Sequence, residues 1–497
     1  MADPLVNTQF TSGTVITSDW LNGINDFANE AANPTIYTQG AARIGFDGGS
    51  VTSQFLSKVN RVVDSIAALR LVDKTKYTRA FSTGYYTMGD GGGGPYWYDS
   101  SDTTSVDNGG TVIVGADGGR WKLILTGWLS VKQFGAKGDG AFDDSGPIQG
   151  ALSALNNTTI TDIYFPGGQY RTTVQLSVQN KQVHIHGAGQ QCTVIQCEML
   201  SGICLFIDQL DYTFYTKVEG LSFTTNQIAQ VTALEITYGE NDATNNRIQD
   251  RVTLRDLQMF GSVFGLVGPK YGVKLNNVHA AYLENINIAG NAYAAGMLAG
   301  CFFTSSGTGA PSDIVCHNVK VYYGEKGFQG TGHLEGMNFS QCFAIAVQVG
   351  FHFALSTTFP WFTASQCHVN CTSQGFHLEN FPQSFIRGNL IYIVNQAAAS
   401  TPVGISLTAC DDTIVTDNNV VNPTFVAGTQ VIGYLVNNSI RVKLANNKVA
   451  GYDVGYDLIG TTGSTRTFDN EASTGYGGSI AYNDASTGGG NMVRNTP

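Results

Sequence analysis

Three glycines at a fixed interval constrain this chain more than anything else in it. Gly375, Gly404 and Gly433 recur every 29 residues, and the residues after each follow the same order. Phe376, Ile405 and Tyr434 come next, and Leu378, Leu407 and Val436 follow two positions later. Ile386, Val415 and Leu444 stand eleven past the glycine, and Asn389, Asn418 and Asn447 fourteen past it. A looser copy begins at Gly272, and degenerate ones at Gly327 and Gly350. Alternating apolar residues, sharp turns and a fixed register within about 20–50 residues describe one coil of a solenoid. A coil that short with no helix in it predicts a parallel β-helix. Its three asparagines would stack as a side-chain ladder at a turn, a structural role.

The rest of the composition fits. Charged residues are 13% of the chain, about half the usual ~25%. Glycine, at 60 of 497 residues, is abundant, as a chain of strands and tight turns requires. The formal charge of -11, with no Lys/Arg cluster, predicts no nucleic-acid partner, because phosphate neutralisation needs a basic face. The nine cysteines form no Cys-x-x-Cys pair and are expected to be reduced core residues. The start, MADPLVNTQFTSGTV, lacks the basic and apolar runs of a signal peptide. No run of ~18 apolar residues predicts membrane insertion. Such a chain is expected to be made and kept in a reducing cytoplasm until released.

Four segments are expected. Residues 1–72 carry two short helices, one with Trp20, Ile24 and Phe27 on one face and a second over about 51–71. Residues 73–127 read as a small β module, with Tyr85-Tyr86, Tyr96-Trp97-Tyr98, Val112 to Val114 and Trp121 to Leu125 as strands between glycine turns. Residues 128–470 form the solenoid, and 471–497 a short tail. In SVKQFGAKGDGAFDDSGPIQGALSALN, Asp143, Asp144 and Ser145 cap a helix over about 145–155. That helix is placed to cover the first coil, whose strand edges would otherwise invite aggregation. Asp139, Asp143 and Asp144 are therefore read as structural.

The same FGAKGDG…DDS stretch resembles the opening motif of the pectate-lyase-like superfamily. GTVITSDWLNGINDF resembles the virion-anchoring start of many viral tail fibres and tailspikes. ALRLVDKTKYTRAF…GGGGPYWYD…DGGRWKL is similar to the β module that precedes the solenoid in tailspikes. The resemblance covers most of the chain and implies an all-β, right-handed parallel β-helix preceded by small α/β virion-anchoring modules. It also implies a homotrimer on the viral tail, joined through its N-terminal module to a tail, baseplate or adaptor protein, and often a depolymerase of capsule or lipopolysaccharide chains.

Glycosidic cleavage usually takes two carboxylates about 5–5.5 Å apart for retention or about 6.5–9.5 Å for inversion. Stacked coils lie ~4.8 Å apart, so acids on neighbouring coils qualify. The 29-residue register places Glu379, Asp411 and Asp412 on adjacent coils near one edge, with Glu335 an earlier candidate. The same aspartates serve equally well as turn formers. A lyase would need a base instead. Arg387 and Arg441 are available, but each stands one coil from an acid, Asp417 and Asp412 respectively, so ion pairs are the competing reading. No adjacent aspartates precede a Gly-His-Gly, so no pectate-degrading catalytic set is carried over. Trp361 is the first choice for a stacking sugar contact, with Arg387, Asp417 and Arg441 beside it. Tyr322-Tyr323, Phe351, Phe353, Phe359 and Phe362 fit either a sugar site or the coil interior. His184 and His186 alternate on a strand, and two histidines alone are a poor metal site. No metal or cofactor is expected.

The reading is a tailspike that recognises and degrades a bacterial surface polysaccharide, by hydrolysis sooner than elimination. The alternative is an adsorption spike that binds the glycan without cutting it. A cellular polysaccharide enzyme is the third, disfavoured by the N-terminal resemblance.

Overall fold

The computed structural model describes Gly45–Phe46, Gly49–Ser50 and residues 61–496 apart from 211–212, 240–250, 264, 292–295, 306–311, 395–400 and 488. The chain divides into two units, Met1–Thr126 and Gly127–Pro497. The expected anchoring helix at Trp20 to Phe27 lies outside the described residues.

The first unit holds a five-stranded sheet in the order Arg61–Val63, Arg79–Ser82, Gly94–Asp99, Arg120–Leu123, Val112–Val114. Its core is Tyr96, Ile113 and Trp121, none with measurable exposure, together with Ile66 and Leu69. The helix expected over 51–71 is corrected in its described part. Arg61–Val63 pairs with Arg79–Ser82 as a strand, and helix forms only over Ile66–Leu69, where the Ser65 hydroxyl caps Ala68 N–H. Two β-branched residues beside a partner strand gain ladder hydrogen bonds that a helix would forgo. Tyr85-Tyr86 is likewise a turn, wrapped on the Asp90 carboxylate, which accepts backbone N–H groups from Tyr85, Tyr86, Thr87 and Gly92.

The second unit is a right-handed parallel β-helix. Among the described residues, its strands pair only in parallel, each with its counterpart one coil on. Three ribbons result. Ribbon A carries Asp162–Phe165, Val183–Gly187, Phe362–Ser365, Phe385–Arg387 and Ile414–Thr416; ribbon B carries Gly168–Thr172, Thr193–Cys197, Leu390–Ile393 and Asn419–Val421; ribbon C carries Leu176–Gln179, Tyr271–Asn276, Val403–Thr408 and Ile432–Asn437. His368–Glu379 bends from B into C.

The glycine column is longer than the 29-residue repeat suggests. Gly272, Gly300, Gly327, Gly350, Gly375, Gly404, Gly433 and Gly455 stack on ribbon C. A Cβ on Gly404 would stand 2.5 Å from the Gly433 carbonyl and 2.6 Å from a Val420 methyl on ribbon B. The core is thinnest along this line, and only glycine fits. Beside it runs a column of rings, with Phe328–Phe351 centroids at 4.6 Å, Phe351–Phe376 at 4.5 Å and Tyr434–Tyr456 at 4.8 Å.

At the A–B turn Asn389, Asn418, Asn447 and Asn470 stack, each of the first three amides donating to the next side chain at 2.9–3.0 Å and to a carbonyl of the preceding coil. They are at most 2% exposed, so these bonds satisfy groups that water cannot reach. The coils continue past residue 470, since Arg466–Asp484 and Met492–Thr496 pair in parallel with what precedes them. At the other end, helix Ser145–Ser153 turns Ile148, Ala151 and Leu152 into the first coil. Asp144 accepts from Lys137 and Gly138 N–H, and Asp143 binds Ser145 and Thr173. Burial holds the Asp144 carboxyl above the usual carboxylate range. One cysteine expectation is corrected: Cys197 and Cys204 form a disulfide, because these inward positions flank one short turn with Cα atoms 6.0 Å apart.

Candidate functional site

The C–A turn gathers most of the residues singled out in the sequence. Ribbon C alternates, so Phe376 and Leu378 fill the core while His377 and Glu379 point outward. The chain then passes Asn380 and Gln383, both with positive φ, and enters ribbon A. Backbone bonds fix the stacking: Gly336 N–H donates to Pro360, Trp361 to Pro382, Gln383 to Asp411, Asp412 to Ile440 and Arg441 to Gly463. Gly336, Trp361, Gln383, Asp412, Arg441 and Ser464 consequently occupy one column, all left-handed.

For Trp361 that conformation is an outlier, with φ at 78°, and strain of this sort costs about 1–3 kcal/mol. The residue is 54% exposed. The neighbouring aromatics resolve differently. Phe351, Phe353 and Phe362 are core residues without measurable exposure, and Phe359 packs on the His333 ring.

The acids at this edge are not equivalent. Glu379 ends its strand with His377 Nε2 4.0 Å from its carboxylate. Asp411, one coil on, accepts Ile440 N–H at 2.9 Å. Asp412 takes two bonds from the Arg441 guanidinium at 2.6 and 2.7 Å, and that contact holds its carboxyl below the usual range. Asp412 is thus a fixed anion, while no such clamp holds Glu379 among the described residues. Glu335 precedes Gly336 in the column and so lies three coils from Asp411, roughly 14 Å along the axis, too far for a joint attack on one bond. Arg387 and Asp417 stand at the opposite edge of ribbon A, as an ion pair 3.5 Å apart.

Sequence reading missed the histidines beside Glu379. His352 and His377 stack with centroids 4.9 Å apart. Burial lowers both, His352 to about 4, so both rings are neutral near pH 7. The repeated Gly-Phe-His at Gly350 and Gly375 was the available signal. His184 is held between Asp162 at 2.7 Å and Glu219 at 2.8 Å, which engages both ring nitrogens.

Comparison with known proteins bears on the same regions. Residues 62–126 match the phage tail protein small four-stranded β-sheet domain, and residues 128–346 match the rhamnogalacturonase A/epimerase, pectate-lyase-like family. A Mu-like prophage FluMu defective tail fiber protein of Haemophilus influenzae is 27% identical over 245 residues, 48% of this chain and 38% of that protein. Alginate lyase 7 of Azotobacter vinelandii is 31% identical over 147 residues, 26% of this chain and 17% of the enzyme. The chain therefore spans well under half the length of these relatives. Among solved structures, full-length tailspike protein 2 from an Escherichia coli O157:H7 bacteriophage aligns over 94% of this chain and 53% of its own, at 15% identity and a TM-score of 0.46.

Proposed function

We propose that this chain is a bacteriophage tail protein of the tailspike type, a phage-tail β-sheet domain followed by a pectate-lyase-like right-handed β-helix, and that its C–A edge binds and hydrolyses a bacterial surface polysaccharide during host adsorption. The protein works on the virion tail as a homotrimer, attached through its N-terminal module to a tail, baseplate or adaptor protein. Its polymer is a capsule or a lipopolysaccharide O-chain.

The observation that carries this reading is the left-handed column in which an exposed Trp361 and an anionic Asp412 stand two coils apart, with Glu379 leading into the turn between them. Trp361 offers a ring face to a sugar. Glu379 protonates the glycosidic oxygen. Asp412, or Asp411 beside it, supplies the carboxylate that activates water or stabilises the developing positive charge. Hydrolysis is favoured over elimination because Arg387 and Arg441, the candidate lyase bases, are both engaged by acids. A binding-only spike is the second reading, supported by the engagement of Asp411 with Ile440 and of Asp412 with Arg441.

The test is incubation with purified surface polysaccharide from candidate hosts, following reducing ends and absorbance of unsaturated uronate. Reducing ends alone are expected, and Glu379→Gln or Asp412→Asn should abolish them. Both signals together would make it a lyase. Neither, with binding retained, would make it an adsorption spike. Full activity in Glu379→Gln, Asp411→Asn and Asp412→Asn would reject this edge as the site.

A further inference from the structure

We propose that ribbon B carries a second glycan subsite, separate from the C–A edge, which takes one or two uncharged pyranose residues. This rests on the glycan-binding reading above and extends it to a different wall of the solenoid.

The site is an open pocket of about 500 Å³, within the ~300–1,000 Å³ range of small-ligand sites. Its floor is formed where Gln258 pairs with Asn287 on the next coil, and Ala289 with Tyr322 on the one after. Met259, Phe260, Ile288 and Gln191 complete the lining. The wall bearing Gln191 is built in. The turn that holds it reaches along the axis, and the amide of the adjacent Gln190 donates to the carbonyls of Leu257 and Asn285 at 3.1 and 3.2 Å. Gln191 N–H is held by the Ser222 hydroxyl at 3.2 Å.

The chemistry of the lining selects the ligand. Its polar side chains are amides and a phenol, and none of its lining residues is ionisable near neutral pH. Amides both donate and accept, as vicinal hydroxyls require. The Gln258 Oε1 atom is buried with no hydrogen-bond partner, an acceptor whose desolvation a ligand hydroxyl would offset. Phe260 and Tyr322 add ring surface for the apolar face of a sugar. Coil spacing of ~4.8 Å is close to the length of one pyranose residue in an extended chain, so Gln258 and Asn287 can address successive residues. A chain of net charge -11 also repels polyanions, so an uncharged segment suits this wall.

The experiment is calorimetric titration of the intact protein with short neutral oligosaccharides (cello-, malto-, chito- and galacto-series) and, in parallel, with oligouronates. One neutral series should bind. Gln258→Leu, Asn287→Ala and Tyr322→Ala, each with an unchanged melting curve, should weaken it about tenfold. Equal affinity in all three pocket variants overturns the subsite. So does a protein that ignores every neutral series yet binds oligouronates or host polysaccharide, a result that leaves the glycan reading standing. Failure to bind any glycan removes both.

Discussion

Arg441 grips Asp412 across one coil with two parallel bonds, Nε to Oδ1 at 2.6 Å and Nη2 to Oδ2 at 2.7 Å. The two are half exposed, at 50% and 40% of the side chain, so the pair adds little to stability and its consequence is electrostatic. It keeps Asp412 anionic below the pH at which a free aspartate would protonate. Arg441→Gln should leave the melting temperature nearly unchanged and move the acid limb of the cleavage–pH profile upward. Asp412→Asn should cost about 100-fold or more in rate at every pH. An acid limb that stays put in Arg441→Gln would mean that Asp412 does not titrate in the reaction.

Glycine substitutions should separate the column from the turns. Gly404→Ala brings a Cβ to 2.5 Å from the Gly433 carbonyl, where neither backbone can yield, and should cost about 2–3 kcal/mol or more. Gly428 has φ at 83°, and a Cβ added there would meet nothing within 4 Å. Its alanine variant should lose only about 1 kcal/mol, from backbone strain. Guanidinium unfolding of the two variants measures the difference, and equal costs would mean the column is not sterically enforced.

The β-helix was legible in the sequence because two successive coils share one length, which sets three glycines in register. Earlier and later ones do not. From Gly272 the intervals to Gly300, Gly327, Gly350 and Gly375 are 28, 27, 23 and 25, and from Gly433 to Gly455 only 22. The strands keep register while the turns absorb insertions, so Gly300, Gly455 and Asn470 belong to columns that a fixed period cannot find. The ion pairs Arg387–Asp417 and Arg441–Asp412 were open to register reasoning, since both fall where coils have equal length. Whether Trp361 faces solvent and Phe362 the core was not, because that turns on a left-handed residue at the corner. The pocket on ribbon B was hidden for another reason. It is made by the reach of Gln190 over 67 and 95 residues of sequence, a contact no local pattern encodes.

The stacked histidines predict an acid-labile ribbon C. Burial depresses His352 to about 4 and lowers His377 as well, with Lys326 adding repulsion at His352 and Glu379 opposing at His377. An unfolded histidine takes up its proton near pH 6.5. Between that pH and about 4 the unfolded chain therefore binds more protons than the folded one at His352, and stability falls as pH falls through this window. His352→Gln should flatten that decline when unfolding is followed at pH 7.5 and pH 5. Parallel declines in variant and wild type would place the acid sensitivity elsewhere.

The asparagine ladder predicts an order of substitutions and not just a loss. Asn418 donates to Ile386 O at 2.9 Å and to Asn447 Oδ1 at 3.0 Å, and its own oxygen accepts from both the backbone and the amide of Asn389. Alanine there strands buried donors and an acceptor at once, at about 1–3 kcal/mol for each unsatisfied group, and so should cost more than 3 kcal/mol in total. Aspartate keeps the acceptor but sets a charge against Asn447 Oδ1, and should be worse still. Cysteine should be the mildest of the three, because the chain already uses it: Cys367 sits one coil before Asn389 in the same column, with its sulfur 3.5 Å from Ser365 O and its N–H on Asn389 Oδ1 at 2.8 Å. Unfolding rates in guanidinium should therefore rise in the order wild type, Asn418→Cys, Asn418→Ala, Asn418→Asp. If alanine is as good as cysteine, the column is held by the fit of the coils and its hydrogen bonds add nothing net, which would leave the persistence of asparagine over four coils without a physical cause.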